Sequence, residues 1–122
     1  MTEDNPTADK TTIAPEVLMT IARLTALAVP GVSRLVPIPH GVHRLLKRNP
    51  QQEGVVIEVQ EDTVGVDLYL AMLNGVNVRE VGQNVQAEVG RAISDMVGMQ
   101  SGRINVHIEE IDFPTEAQDS ET

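Results

Sequence analysis

The chain has 122 residues, a net charge of −9 and no cysteine. That length suits one domain with tails. The lack of cysteine excludes disulfides, thiolate nucleophiles, iron–sulfur clusters and cysteine zinc sites. The acidic balance disfavours general nucleic-acid binding.

Residues 1–10, MTEDNPTADK, read as a disordered acidic tail, and as neither a signal peptide nor a membrane anchor. No apolar run approaches the roughly 20 residues needed to cross a bilayer. Thr11 to Ile13 suits a short edge strand. Pro15 suits the first position of a helix, although Ala14 before it is a poor cap. That helix is expected to end where Pro30-Gly31 follows Val29. Val17, Leu18, Ile21, Ala22, Leu24 and Ala28 make a wide apolar face, with Met19, Ala26 and Leu27 away from its centre. A helix apolar nearly all round is buried on more than one side, by its own core or by another subunit or protein.

Gly31 to Pro37 reads as extended. The Pro-bounded segment 37–52 follows, where Gly41 to Arg48 could form two helical turns with Val42, Leu45 and Leu46 on one side. It is the centre of a basic region. Net charge is −3 over residues 1–16, +5 over 17–52 and −11 over 53–122. Val55 to Gln60 is a strand, and Glu61-Asp62 turns the chain into a longer one.

From Val64 to Met72, apolar side chains fall at every second position, the period of a strand with one face in the core. Asn74-Gly75 stops it. Asn77 then opens a helix, with Glu80 three residues on as in a capping box, and Val76 and Val81 spaced as a hydrophobic staple. The helix is expected to run to about Val97, with Gly98 as a left-handed stop. Val78, Val81, Val85, Val89, Ala92, Ile93 and Met96 share its apolar stripe. The strand Arg103 to Ile111 puts Ile104, Val106 and Ile108 inward, and Asn105, His107 and Glu109 outward. Residues 113–122 read as a second acidic disordered tail.

These elements predict an α+β fold: a two-layer sandwich, two main helices on one face of a mainly antiparallel sheet, with a ferredoxin-like variant open. The folded domain spans 11–112, with 37–52 as a basic insertion.

Few residues suggest chemistry. His40 and His43 have a loose H-x-x-H spacing, but a metal site needs three or four converging ligands, so a solvated loop is the better reading. Glu58, Asp67 and Glu109 could share the open sheet face, where wet acidic residues are commoner than an acid–base cluster. Gly82 and Gly90 lie within a helix and form no phosphate loop. No G-x-S-x-G or H-E-x-x-H occurs. No catalytic, cofactor or metal residue is assigned.

Surfaces are more informative. Arg34, Arg44, Lys47 and Arg48, with Leu45 and Leu46 between them, could dock on anionic lipid or an acidic protein, each cation contributing about 1 kcal/mol near an anionic membrane. They could equally neutralise the chain's own acidic half. Met19 and Leu27 on the first helix, and Tyr69 and His107 on the open sheet face, are the candidates for self-association.

The run VDLYLAMLNGVNVREVGQNVQAEVGRAISDMVGM, closed by RINVHIEEI, resembles the alkaline shock protein 23 / general stress protein 24 family of bacteria. Ile13-Ala14-Pro15-Glu16-Val17, Pro30-Gly31-Val32 and Gly54-Val55-Val56-Ile57-Glu58-Val59 resemble its opening helix and middle strand. The resemblance covers roughly residues 11–112, and the 37–52 segment matches none of its motifs. It implies a non-enzymatic, self-associating cytoplasmic protein of the cell envelope or envelope stress, held near the membrane through a partner protein. The alternative is a regulatory subunit of a cytoplasmic enzyme of lipid or envelope-precursor metabolism. A small enzyme is a third reading, which fold alone does not license.

Overall fold

The computed structural model describes residues 11–41 and 51–114, and for residues 51–52 the backbone only. Both tails and residues 42–50, with the helical turns expected over 41–48, lie outside the described residues.

The first helix, α1, spans Pro15–Ala28, with Pro15 in its first turn and no side-chain cap from Ala14. Strands β1 (Val32–Leu35), β2 (Gln51–Gln52), β3 (Val55–Gln60) and β4 (Thr63–Leu73) follow. The second helix, α2, spans Val78–Ala92 and continues as a π-helical turn over Ile93–Val97. Strand β5, Gln100–Asp112, closes the order. Asn77 caps α2 by accepting the Glu80 N–H at 3.1 Å, and Gly98 ends the π turn at φ 75°, in the left-handed region.

Strand β4 is the axis of the sheet. Strand β5 runs parallel along one edge of it, from Thr63↔Gln100 to Leu73↔Asp112. The other edge is divided: β3 pairs antiparallel with Thr63 to Leu68, and β1 pairs antiparallel with Leu70 to Met72. Tyr69 is the junction. Its N–H donates to the Gly54 carbonyl and its carbonyl accepts from the Val36 N–H, each at 2.9 Å. Strand β2 lies outside β3.

The expected α+β two-layer sandwich is the observed fold, in a ferredoxin-like variant whose βαβ unit is β4–α2–β5. Val64, Val66, Leu68, Leu70 and Met72 line the helix-facing side of β4, and each is at most 1 % exposed. Leu18, Met19, Ala22, Ala26, Val81, Val85, Val89 and Ile93 pack onto them from the helices. Burying side chains of this size contributes roughly 1.5–3 kcal/mol each before chain entropy is counted.

Three local expectations are corrected. Thr11 to Ile13 pairs with no described strand. Met96, placed in the α2 stripe, is 70 % exposed, because the wider π turn rotates it off the core side. Met19 and Ala26 of α1 face the core, while Val17 and Leu24 point outward at 47 % and 54 % exposure. The apolar residues surround α1 so evenly that periodicity alone cannot orient it.

Candidate functional site

The open face of the sheet, opposite the helices, has two halves. In one, Val36, Val56, Tyr69 and Ala71 form a second buried cluster with Ile38 packed against it. The chain leaving β1 through Pro37 and Ile38 crosses this face, so Tyr69 is only 3 % exposed. Tyr69 therefore offers no self-association surface, and neither does Met19, at 6 %.

The other half is polar and centres on Asp67. Its Oδ1 accepts from Asn105 Nδ2 and lies 3.0 Å from His107 Nε2. His107 stacks on Tyr69, with ring centroids 4.3 Å apart and planes 9° from parallel. Burial raises the Tyr69 phenol above its ordinary value of 10.0, and the nearby Asp67 and Glu109 charges add to the rise. Glu58 and Arg103 line a shallow depression beside Asp67. Chemically this is an Asp–His pair on an open surface. It orients the imidazole and holds it against the tyrosine, and it joins β4 to β5 side chain to side chain.

Arg34 spans the same face at the far end. It pairs with Asp112 (Nε to Oδ2, 2.9 Å) and with Glu110 (Nη2 to Oε1, 2.6 Å), across β4. Ser33 Oγ donates to the same Asp112 carboxylate at 2.6 Å. The Arg34 hydrogen bonds, then the Ser33 one, hold the Asp112 carboxyl below the ordinary carboxylate range. The charge of Arg34 is thus occupied within the chain, as the charge-balance reading of the basic region has it. Arg44, Leu45, Leu46, Lys47, Arg48 and His43 lie outside the described residues.

Arg34 and Leu27, assigned separately from sequence, line one groove of about 710 Å³ with Arg23, Ile38, His40 and Glu53. It lies where the chain passes from the helix layer to the open face. Among the described residues, no group of three or more His, Asp or Glu is placed to hold a metal ion. Likewise, no described helix is long and apolar enough to cross a membrane.

Two groups of exposed apolar side chains stand out among the described residues. One is on the outer side of α1, with Val17, Leu24 and Leu27. The other is along β5, where Ile108 and Ile111, and Phe113 just after the strand, are 37 %, 39 % and 64 % exposed. Sequence reading placed Ile108 inward and assigned to this strand only His107, on its open face, not its apolar edge. The signal was the strand's position after the last helix, which leaves it at a sheet edge once it pairs with β4.

Comparison with known proteins gives one family. Residues 3–113 match the model of the alkaline shock protein 23 family, described by a cell envelope-related function. The uncharacterized protein YqhY of Bacillus subtilis (strain 168) is 31 % identical over 111 residues, covering 90 % of this chain and 82 % of that protein. The uncharacterized protein Spy1535 of Streptococcus pyogenes serotype M6 is 30 % identical over 105 residues, covering 81 % and 76 %. Among solved structures, the nickel form of a MamM CTD variant superposes with a TM-score of 0.56 at 15 % identity, covering 80 % of this chain and 99 % of that one. At that identity the likeness concerns the fold alone.

Proposed function

The chain belongs to the alkaline shock protein 23 family, and from that premise we propose that it is a non-enzymatic, self-associating binding and scaffold protein. It contributes to cell-envelope homeostasis through protein partners, from the cytoplasm, and comes close to the membrane through one of them. The observation that carries this reading is the placement of large apolar side chains on the outside. Val17, Leu24 and Leu27 lie on one layer, and Ile108 and Ile111 on a sheet edge that Phe113 follows. Exposed apolar groups gathered on such surfaces favour protein contacts. The polar face supports the same reading. Asp67 and His107 are bound to each other on an open surface, and Arg34 is bound to Asp112 and Glu110.

The test is cross-linking in the native cell followed by purification of the chain and identification of what is joined to it. Copies of the chain together with envelope proteins are expected. A single soluble enzyme at fixed stoichiometry, with no self-linked product, would replace this reading with the regulatory-subunit one.

A further inference from the structure

Strand β5 is thirteen residues long, and among the described residues it has a neighbour, β4, on one side only. An edge of that length presents unpaired backbone groups to any second strand. Its register against β4 slips twice, once between Ser101 and Ile104 and again between Ile108 and Glu110. Such bulges twist an edge away from a neighbour. They confine regular pairing to Ile104–Ile108, whose centre is Val106.

That segment is complementary to itself. If two copies run antiparallel with a two-fold axis at Val106, Ile104 of each faces Ile108 of the other, and the two Val106 side chains meet. All three lie on the helix side and are at least partly exposed, Ile108 by 37 %. Just outside this regular segment, in the two bulges, Arg103 of each copy comes next to Glu109 of the other, within reach of their long side chains. Both are exposed, and neither forms an ion pair with a described residue of its own chain. Moving the axis to Asn105 sets Arg103 against His107, and moving it to His107 sets Arg103 against Ile111. Only the Val106 axis matches both charges.

The helix layer permits this approach. The side of α2 over β5 is defined by Gly82 near Val106 and Ile108, by Gln86 donating to the Ile104 carbonyl at 3.0 Å, and by Gly90 near Ile104. Helical spacing places Arg79 and Gln83 on the flank beyond it. In a chain of net charge −9 this flank carries no acid. Two α2 helices brought side by side across the axis therefore meet no like-charge barrier of carboxylates.

We propose that the outer edge of β5 pairs antiparallel with the same edge of a second copy, centred on Val106, joining two five-stranded sheets into one with both helix layers on the same side. This rests on the self-association reading and supplies its geometry.

The test uses the full chain in sedimentation velocity, as wild type, Arg103→Glu, Glu109→Arg, and an equal mixture of the two variants. Each single variant sets like charges opposite each other at both ends of the pairing and should weaken the dimer about tenfold. In the mixture the heterodimer has opposite charges at both ends, so it should associate about as well as wild type. Both positions are exposed, and circular dichroism of each variant confirms that it is folded. Single variants that dimerise like wild type, or a mixture no stronger than its components, would overturn this pairing and leave self-association through another surface standing. A wild-type chain that stays monomeric would remove both.

Discussion

The imidazole of His107 lies flat on the ring of Tyr69, 4.3 Å between centroids, while its Nε2 reaches Asp67 at 3.0 Å. The stack closes one side of the only tyrosine in a chain without tryptophan. Tyrosinate absorbance therefore reports this one residue. Burial, with Asp67 and Glu109 adding, places its titration above 10.0. The folded-state value is raised, so the stability it contributes is complete below 10.0 and is lost as pH rises through the folded value. We expect the native chain to titrate later than the urea-unfolded chain. His107→Ala should uncover one face of the ring, narrow the gap between the two curves without closing it, and cost about 0.5–1.5 kcal/mol for the aromatic pair.

The Arg34 clamp acts at the opposite end of the pH scale. Asp112 is held below its ordinary value of 3.8 by Arg34 and then by Ser33. A depressed carboxyl contributes stability that is present above 3.8 and is lost as pH falls through the folded value. Asp112→Asn should therefore lower stability at neutral pH and flatten the acid limb below the ordinary carboxylate range. Urea unfolding at a series of pH values checks both features.

Gly54 holds the two halves of the sheet at Tyr69. Its φ is +83°, and an added Cβ would lie 2.5 Å from the Val36 carbonyl oxygen and 3.1 Å from that of Tyr69. Gly54→Ala should cost about 2 kcal/mol or more, since backbone strain and a backbone clash coincide. The same variant should advance the Tyr69 titration, because Tyr69 N–H bonds to Gly54.

Two substitutions separate local from global stability. Asn77→Ala removes the cap on α2 and should cost about 1 kcal/mol. Leu68→Ala opens a cavity at a fully buried position at the centre of β4 and should cost about 2–5 kcal/mol. Denaturant midpoints at constant slope give both differences.

Local signals made much of the fold legible. Alternation from Val64 to Met72 fixed the core face of β4, and Asn77 and Gly98 marked the start and stop of the second helical segment. What failed depended on long-range contacts. The uniformly apolar α1 had no readable phase, so Met19 was assigned to the surface. Tyr69 sits at an outward position by alternation, yet Val36 and Ile38, more than thirty residues earlier, cover it. The partners of Arg34 lie seventy-six and seventy-eight residues away, so no spacing rule could pair them. The exposed edge of β5 follows from its pairing with β4, which the sequence does not state.

The central claim is that this chain assembles with itself. Sedimentation velocity of the wild-type chain over a wide concentration series tests it directly. The account predicts a sedimentation coefficient that rises with concentration and falls back on dilution. A single monomeric boundary at every concentration would contradict it.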